Sequence, residues 1–192
     1  MDGFEEMYRA GRPPWDIGRA QTAFVELEAR GAIRGRVLDA GCGTGENALY
    51  FASRGHEVYG IDGAPTAIAA AQRKAKARGL QVTFRVHDAL ALESLRLTFD
   101  TVTDCGLFHT FTDEDRVRYE KCLKAALASS GSFIALCFSE HEPGDWGPRR
   151  VTRDELRDVF RRGWAEESIV ASEFASELGH AARAWLAHFR RA

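Results

Sequence analysis

Two patterns of apolar and polar positions alternate along the chain. Short apolar runs of strand character recur: Val37 and Leu38 close the first, Glu57 to Ile61 forms the second, and Gln81 to Val86 alternates apolar with polar. Phe99 to Asp104 and the near-continuous run Ser132 to Phe138 follow. Between them lie stretches whose apolar residues return about once per helical turn. Arg19 to Gly31 carries Ala20, Ala23, Phe24 and Leu27; Asn47 to Ser53 carries Ala48, Leu49, Phe51 and Ala52; Thr66 to Arg78 and Asp113 to Leu127 continue the series. Gly31 and Gly79 stand where helix C-caps are expected, and Thr152 with Glu155 reads as a capping box for a helix running to about Arg162. Ala165 to Ser172 and Ala184 to Arg190 read as a last pair of strands, an antiparallel hairpin at the sheet edge, with no regular pattern from Glu173 to Arg183. Before the first strand, Pro13 and Pro14 argue for an ordered turn within Phe4 to Gly18 over a long helix. Strands alternating with helices predict an α/β sandwich of three layers on a seven-stranded, mostly parallel sheet, with an antiparallel C-terminal strand pair. Residues 1–192 show no repeat, linker or low-complexity tract, so one domain is expected to account for all of them.

The chemistry concentrates between Arg36 and Asp62, read as strand, glycine turn, helix, loop and strand. Gly41, Gly43 and Gly45 alternate in the turn. Such a turn can use positive φ, and its bare backbone can approach a ligand. The free N–H groups at the start of the following helix favour a polar or anionic group. Asp62, at the end of the second strand, is placed to accept hydrogen bonds from the two hydroxyls of a ribose. The run G-x-G-x-G behind an acid, Asp39, departs from the G-x-G-x-x-G fingerprint of dinucleotide sites. A turn serving structure alone is the alternative.

Composition narrows the partners. The chain has 192 residues, 45% hydrophobic and 28% charged, with a formal net charge of −2, so no basic field favours nucleic acid. No apolar run approaches the ~20 residues of a membrane helix, and the acidic start MDGFEEMYRAG lacks the apolar core of a secretory signal. Cys42, Cys105, Cys122 and Cys137 are scattered without a C-x-x-C pair, which is simplest as reduced thiols in a cytoplasm. The dispersed histidines give no spacing for a metal.

The stretch VLDAGCGTG, with the GID that follows, resembles the first two motifs of the class I S-adenosylmethionine (SAM)-dependent methyltransferases. The resemblance implies a Rossmann-like fold, SAM as cofactor, and a cofactor site drawn from Asp39, Gly41, Cys42, Gly43, Asn47, Asp62, Gly63, Asp88, Ala89, Asp104 and Cys105. In that family a D-A pair at the third strand end, here Asp88-Ala89, contacts the adenine; a helix or turn cap is the other role open to Asp88. GRPPWDIGRAQ resembles the PWD segment of halide and thiol methyltransferases, relatives of the thiopurine methyltransferases. It implies that Trp15 lies near the methyl-donor end, beneath an N-terminal lid of about residues 1–18; Trp15 can equally plug the core.

DCGLFHTF and CFSEHEPGDWGPRRVT resemble small bacterial enzymes near the same group, among them those that methylate heterocyclic toxins. They imply a small-molecule acceptor: a thiol, a nitrogen or oxygen of a heteroaromatic ring, or a halide. Strand carboxyl ends carry the ligands of open α/β sheets. Phe108, His109, Phe111, His141 and Trp146 are therefore the candidate acceptor pocket. His109 is the candidate general base if the acceptor carries a proton; a loop histidine bonded to backbone is the alternative. DCGL lacks the prolines and aromatic residue of the motif at this place in DNA amino-methyltransferases. The expected enzyme works on a small molecule without nucleic acid, membrane or metal, as a monomer or homodimer. A non-catalytic SAM-binding protein and an NAD(P)-dependent oxidoreductase are the competing readings.

Overall fold

The computed structural model describes residues 2–192. In chain order the elements are α1 (Asp2–Ala10), α2 (Thr22–Ala29), β1 (Arg36–Ala40), α3 (Glu46–Ser53), β2 (Glu57–Asp62), α4 (Pro65–Arg78) and β3 (Val82–Val86). They continue with β4 (Phe99–Cys105), α5 (Asp113–Ala126), β5 (Leu127–Phe138), α6 (Arg153–Val159), β6 (Trp164–Phe174) and β7 (Ala182–Arg191). Two 3₁₀ segments, Ala89–Leu95 and Phe108–Thr110, flank β4. The sheet runs β3-β2-β1-β4-β5-β7-β6. The first five strands are parallel, and β7 inserts antiparallel between β5 and β6. Strand order reverses at β1, which pairs with β2 on one side and β4 on the other, the switch point at whose carboxyl ends open α/β sheets take their ligands.

Each face of the sheet buries one apolar layer. Phe24, Leu49, Phe51 and Ile68, from α2, α3 and α4, meet Val37, Val58 and Ile134 on one side. Phe99, Tyr119, Leu123, Phe133 and Trp185 fill the side covered by α5 and α6. The predicted strands and helices are all present, and the capping box at Thr152 and Glu155 is formed.

Four boundaries differ from the sequence reading. Residues 2–10 form a helix, where a turn was expected; the turn starts after Gly11, and Asp16 N–H bonds to Pro13 O at 2.9 Å. The helix expected from Arg19 starts only at Thr22, because Gln21 stays extended with its N–H on Asn47 Oδ1 at 3.0 Å. β5 begins at Leu127, ahead of a slip in its pairing with β4 between Phe99 and Thr101, and Ser130 takes a left-handed φ of 63° there. The last helix stops at Val159 and not near Arg162; Gly163, at φ 74°, then turns the chain into β6.

Candidate active site

β1 leads into the glycine turn at the point where strand order reverses. Cys42 N–H donates to Ile61 O at 2.8 Å, and Gly43 N–H donates to Asp62 Oδ2 at 2.8 Å, so the turn is latched to the end of β2. Gly41, Gly43 and Gly45 all have left-handed φ, at 67°, 53° and 87°. Each also has a close neighbour from this chain. A Cβ on Gly41 would lie 3.0 Å from Leu107 Cβ, one on Gly43 2.7 Å from Tyr8 Oη, and one on Gly45 2.7 Å from Phe84 Cζ. The bare backbone therefore leaves room for the side chains of Leu107, Tyr8 and Phe84.

Three carboxyls stand at this end of the sheet. Asp62 also accepts from Ala64 N–H at 2.8 Å, so each of its oxygens takes one backbone donor and keeps a lone pair. Burial pushes its pKa up against those two hydrogen bonds. Asp39 is fully buried; its Oδ1 accepts from Thr103 Oγ1 at 2.9 Å and its Oδ2 has no hydrogen-bond partner. Burial raises its pKa to about 7, with Asp104 and Asp62 adding repulsion. Asp104 is equally buried; its Oδ1 caps the 3₁₀ turn through Leu107 N–H at 2.9 Å and Phe108 N–H at 3.2 Å, and burial lifts its pKa to about 6. Its Oδ2 and the Tyr119 hydroxyl lack well-formed hydrogen bonds. Buried anions with unspent oxygens are costly unless a cation arrives to pair with them.

The remaining cofactor candidates border the same switch point or its approaches. Asn47 carries the bond from Gln21 N–H, and Gln21 in turn exchanges two hydrogen bonds with the Ala175 backbone, at 2.9 and 3.0 Å. Burial holds the Cys42 and Cys105 thiols protonated, which suits a pocket wall and not a nucleophile. Asp88 caps its 3₁₀ segment through Leu90 N–H at 2.9 Å; Ala89 beside it is buried, and Gly63 is exposed. Trp15 is half-buried, with Phe4 edge-on at 5.7 Å and its indole N–H on Tyr8 Oη at 2.9 Å.

The acceptor candidates do not come together as the sequence reading expected. Phe108 is fully buried beneath the Arg116 guanidinium at 4.7 Å, on the α5 face of the sheet, and is a core residue. Phe111 packs edge-on against Tyr119 at 5.0 Å on that same face. His141 is exposed against Trp185, also of the α5 face, whereas Trp146 packs on Phe138 of the opposite face. His109 is 5% exposed, wedged between Phe138 and Phe174. Its Nδ1 accepts from Phe138 N–H at 3.0 Å, and its other side faces the Gly106 backbone. Burial, with Arg116 and Arg150 nearby, depresses its pKa to about 3. In this geometry His109 has no lone pair turned toward an acceptor, so the general-base expectation is corrected: it is a neutral bracket between β4 and β5. His109→Asn should lower the stability by about 2 kcal/mol through lost buried hydrogen bonding. The pH–rate profile should keep its shape; loss of its acidic limb in the variant would restore the base role.

Sequence reasoning missed Tyr8, Gln21, Phe84, Arg150 and Phe174. Gln21 and Arg150 lie within the segments GRPPWDIGRAQ and CFSEHEPGDWGPRRVT without carrying their chemistry, and Gln21, Phe84 and Phe174 act on residues far along the chain, Ala175, Gly45 and His109.

Known proteins share this architecture. A family described as a methyltransferase domain matches residues 37–131. A 2-heptyl-1-hydroxyquinolin-4(1H)-one methyltransferase of Mycobacteroides abscessus is 39% identical over 179 residues, 88% of this chain and 79% of that protein. A probable thiol methyltransferase 2 of Arabidopsis thaliana is 29% identical over 177 residues, covering 90% of this chain and 78% of the other. A structure solved in a study of the conversion of a disulfide bond into a thioacetal group during echinomycin biosynthesis superposes with a TM-score of 0.90. It is 40% identical and covers 99% of this chain and 92% of that one.

Proposed function

The chain belongs to the SAM-dependent methyltransferases that act on small molecules, and we propose that its acceptor is a thiol or a nitrogen or oxygen on a heteroaromatic ring, presented as its anion. SAM is the cofactor. The buried acid cluster of Asp39, Asp62 and Asp104 around the glycine turn carries this reading. Asp62 keeps a spare lone pair on each oxygen at the end of β2, and Asp39 and Asp104 lie buried beside the turn with no cation paired to them, which suits a ligand bearing positive charge and hydroxyl donors. When bound, the cofactor supplies an electrophilic methyl group on a positive sulfur. Asp62 would hold ribose hydroxyls through its spare lone pairs, and Asp39 and Asp104 would set the field for the cationic end. Asp88 and Ala89 would border the adenine.

Phe138 and Phe174 enclose a neutral His109, and Trp146 packs on Phe138 at the end of β5. Water exclusion and alignment supply the acceleration. With His109 engaged as a bracket, an acceptor already ionised near neutral pH suits the site best. An acidic hydroxyl on a heteroaromatic ring or an acidic, heteroaromatic thiol meets that requirement, in keeping with the hydroxyquinolinone and thiol acceptors named for the relatives. Residues 2–18, docked through Glu5 on Thr66, would cover the cofactor. Four free cysteines, none in a disulfide, support work in a reducing compartment, and the overall charge of −2 supports action without nucleic acid. Among the described residues no helix is long and apolar enough to cross a membrane.

The test pairs cofactor and acceptor. Calorimetry should show SAM and S-adenosylhomocysteine binding and NADH not binding. A panel of 1-hydroxyquinolin-4-ones, thiols and halides should then yield a methylated product. Binding without product across the whole panel would favour a non-catalytic SAM-binding role; binding of NADH alone would favour the oxidoreductase. Asp62→Ala should weaken cofactor binding by about 2 kcal/mol, some thirtyfold. It should also loosen the turn, since two backbone N–H groups lose their acceptor. Unchanged affinity would remove the ribose role.

A further inference from the structure

Tyr8 lies on α1, outside every motif, yet its hydroxyl stands nearest the middle of the glycine turn, 2.7 Å from where a Gly43 Cβ would be. The Trp15 indole N–H donates to that oxygen at 2.9 Å. The phenol's own proton must point elsewhere, and among the described residues no acceptor takes it within hydrogen-bond distance. Burial and the nearby Asp62 carboxylate raise the Tyr8 pKa well above that of a free phenol, so the group stays a donor at every working pH.

The helix carrying it is fixed in place. Glu5 accepts from Thr66 N–H at 3.0 Å and from Thr66 Oγ1 at 2.7 Å, which docks α1 on the start of α4. A preorganised neutral donor with an unspent proton, held over the cofactor turn, calls for an acceptor on the ligand. Asp62 is suited to the ligand's hydroxyl donors. The one fully charged acceptor on SAM is the carboxylate of its amino-acid end.

We propose that Tyr8 donates a hydrogen bond to the carboxylate of the cofactor's amino-acid end, which makes α1 a wall of the cofactor site. The proposal rests on SAM being the cofactor. The test compares two ligands on Tyr8→Phe, which keeps the ring and loses the proton. S-adenosylhomocysteine carries the amino-acid end, and 5′-methylthioadenosine keeps adenine, ribose and thioether without it. Tyr8→Phe should weaken S-adenosylhomocysteine by about tenfold to a hundredfold in calorimetry. Methylthioadenosine should change by less than about twofold. Because both ligands are measured on the same preparation, any loss of folded protein cancels. Equal losses for the two ligands, or no loss for either, would overturn the assignment. Failure of the unaltered chain to bind S-adenosylhomocysteine would instead overturn the cofactor reading, and this inference with it.

Discussion

Exchange of Asp39 for asparagine should raise the melting temperature of the ligand-free protein at pH 8 and, in the same molecule, cost much of its affinity for SAM. The two effects share one cause. The carboxyl is fully buried, half unpartnered, and has a pKa of about 7 in the folded chain. In the unfolded chain it should titrate near the ordinary value of about 3.9. Folding therefore favours the protonated form. Its contribution to stability is fully present below the unfolded value and is lost as pH rises through about 7. Above that, the folded protein holds an ionised carboxylate away from water, at a cost on the order of a few kcal/mol. Asparagine removes the charge. Melting should rise by several degrees at pH 8 and change little near pH 4. Affinity for the cationic cofactor should fall by about tenfold or more. In the unaltered enzyme, cofactor affinity should climb between pH 6 and pH 8 as Asp39 ionises. A variant with unchanged melting at pH 8, or a cofactor affinity flat in pH, would show that the charge is not stored there.

Gly60→Ala is the second large effect. Gly60 sits inside β2 with ordinary strand dihedrals, so backbone strain plays no part. A methyl group there would lie 2.5 Å from two carbons of the Phe84 ring and 3.0 Å from Cys42 Sγ. Phe84 comes from β3, the next strand, and it also lies across Gly45. One ring thus fills the room left by two glycines, one in the strand and one at the start of α3. It cannot yield to one without pressing on the other. Overpacking here should destabilise the protein by about 3 kcal/mol. For a chain of this size that is a fall of roughly 6–12 °C in melting temperature. Phe84→Leu combined with Gly60→Ala should recover part of it, because the shorter side chain vacates the contested space. A double variant no more stable than Gly60→Ala alone would mean that Cys42, at the other contact, is the obstacle.

These cases show what the sequence could and could not disclose. Ser132 to Phe138 is legible as a strand because a parallel strand buried on both faces has to be apolar at nearly every position. The turn from Gly41 to Gly45 and Asp62 is legible because left-handed backbone and an acid at a strand end leave local marks. α1 is not legible. It is a short helix whose docking comes from Glu5 on Thr66 and from Tyr8 with Trp15, contacts that no local pattern announces. His109 shows the opposite failure. Its residue type and its place after β4 fitted a base, but the group that decides its role, Phe138 N–H, belongs to β5. Phe108, Phe111 and His141 share the strand-end region with Trp146 in sequence, but they sit in a 3₁₀ turn and in loops, and packing on Arg116, Tyr119 and Trp185 draws them to the other face.

The segment from Ser139 to Arg150 has no regular secondary structure beyond an isolated bridge between Ser139 and Val151. Arg150 takes the place of a ladder. Its guanidinium donates to the main-chain oxygens of Glu142, Pro143, Gly144, Trp146 and Pro148, and it lies over the rings of Phe138 and Trp146. All the hydrogen bonds run to backbone oxygens, which every residue supplies alike. An exposed tip residue such as Asp145 can therefore be exchanged while Arg150, the Glu142 carboxylate on Arg183 N–H and the left-handed Gly144 and Gly147 keep the shape of the loop.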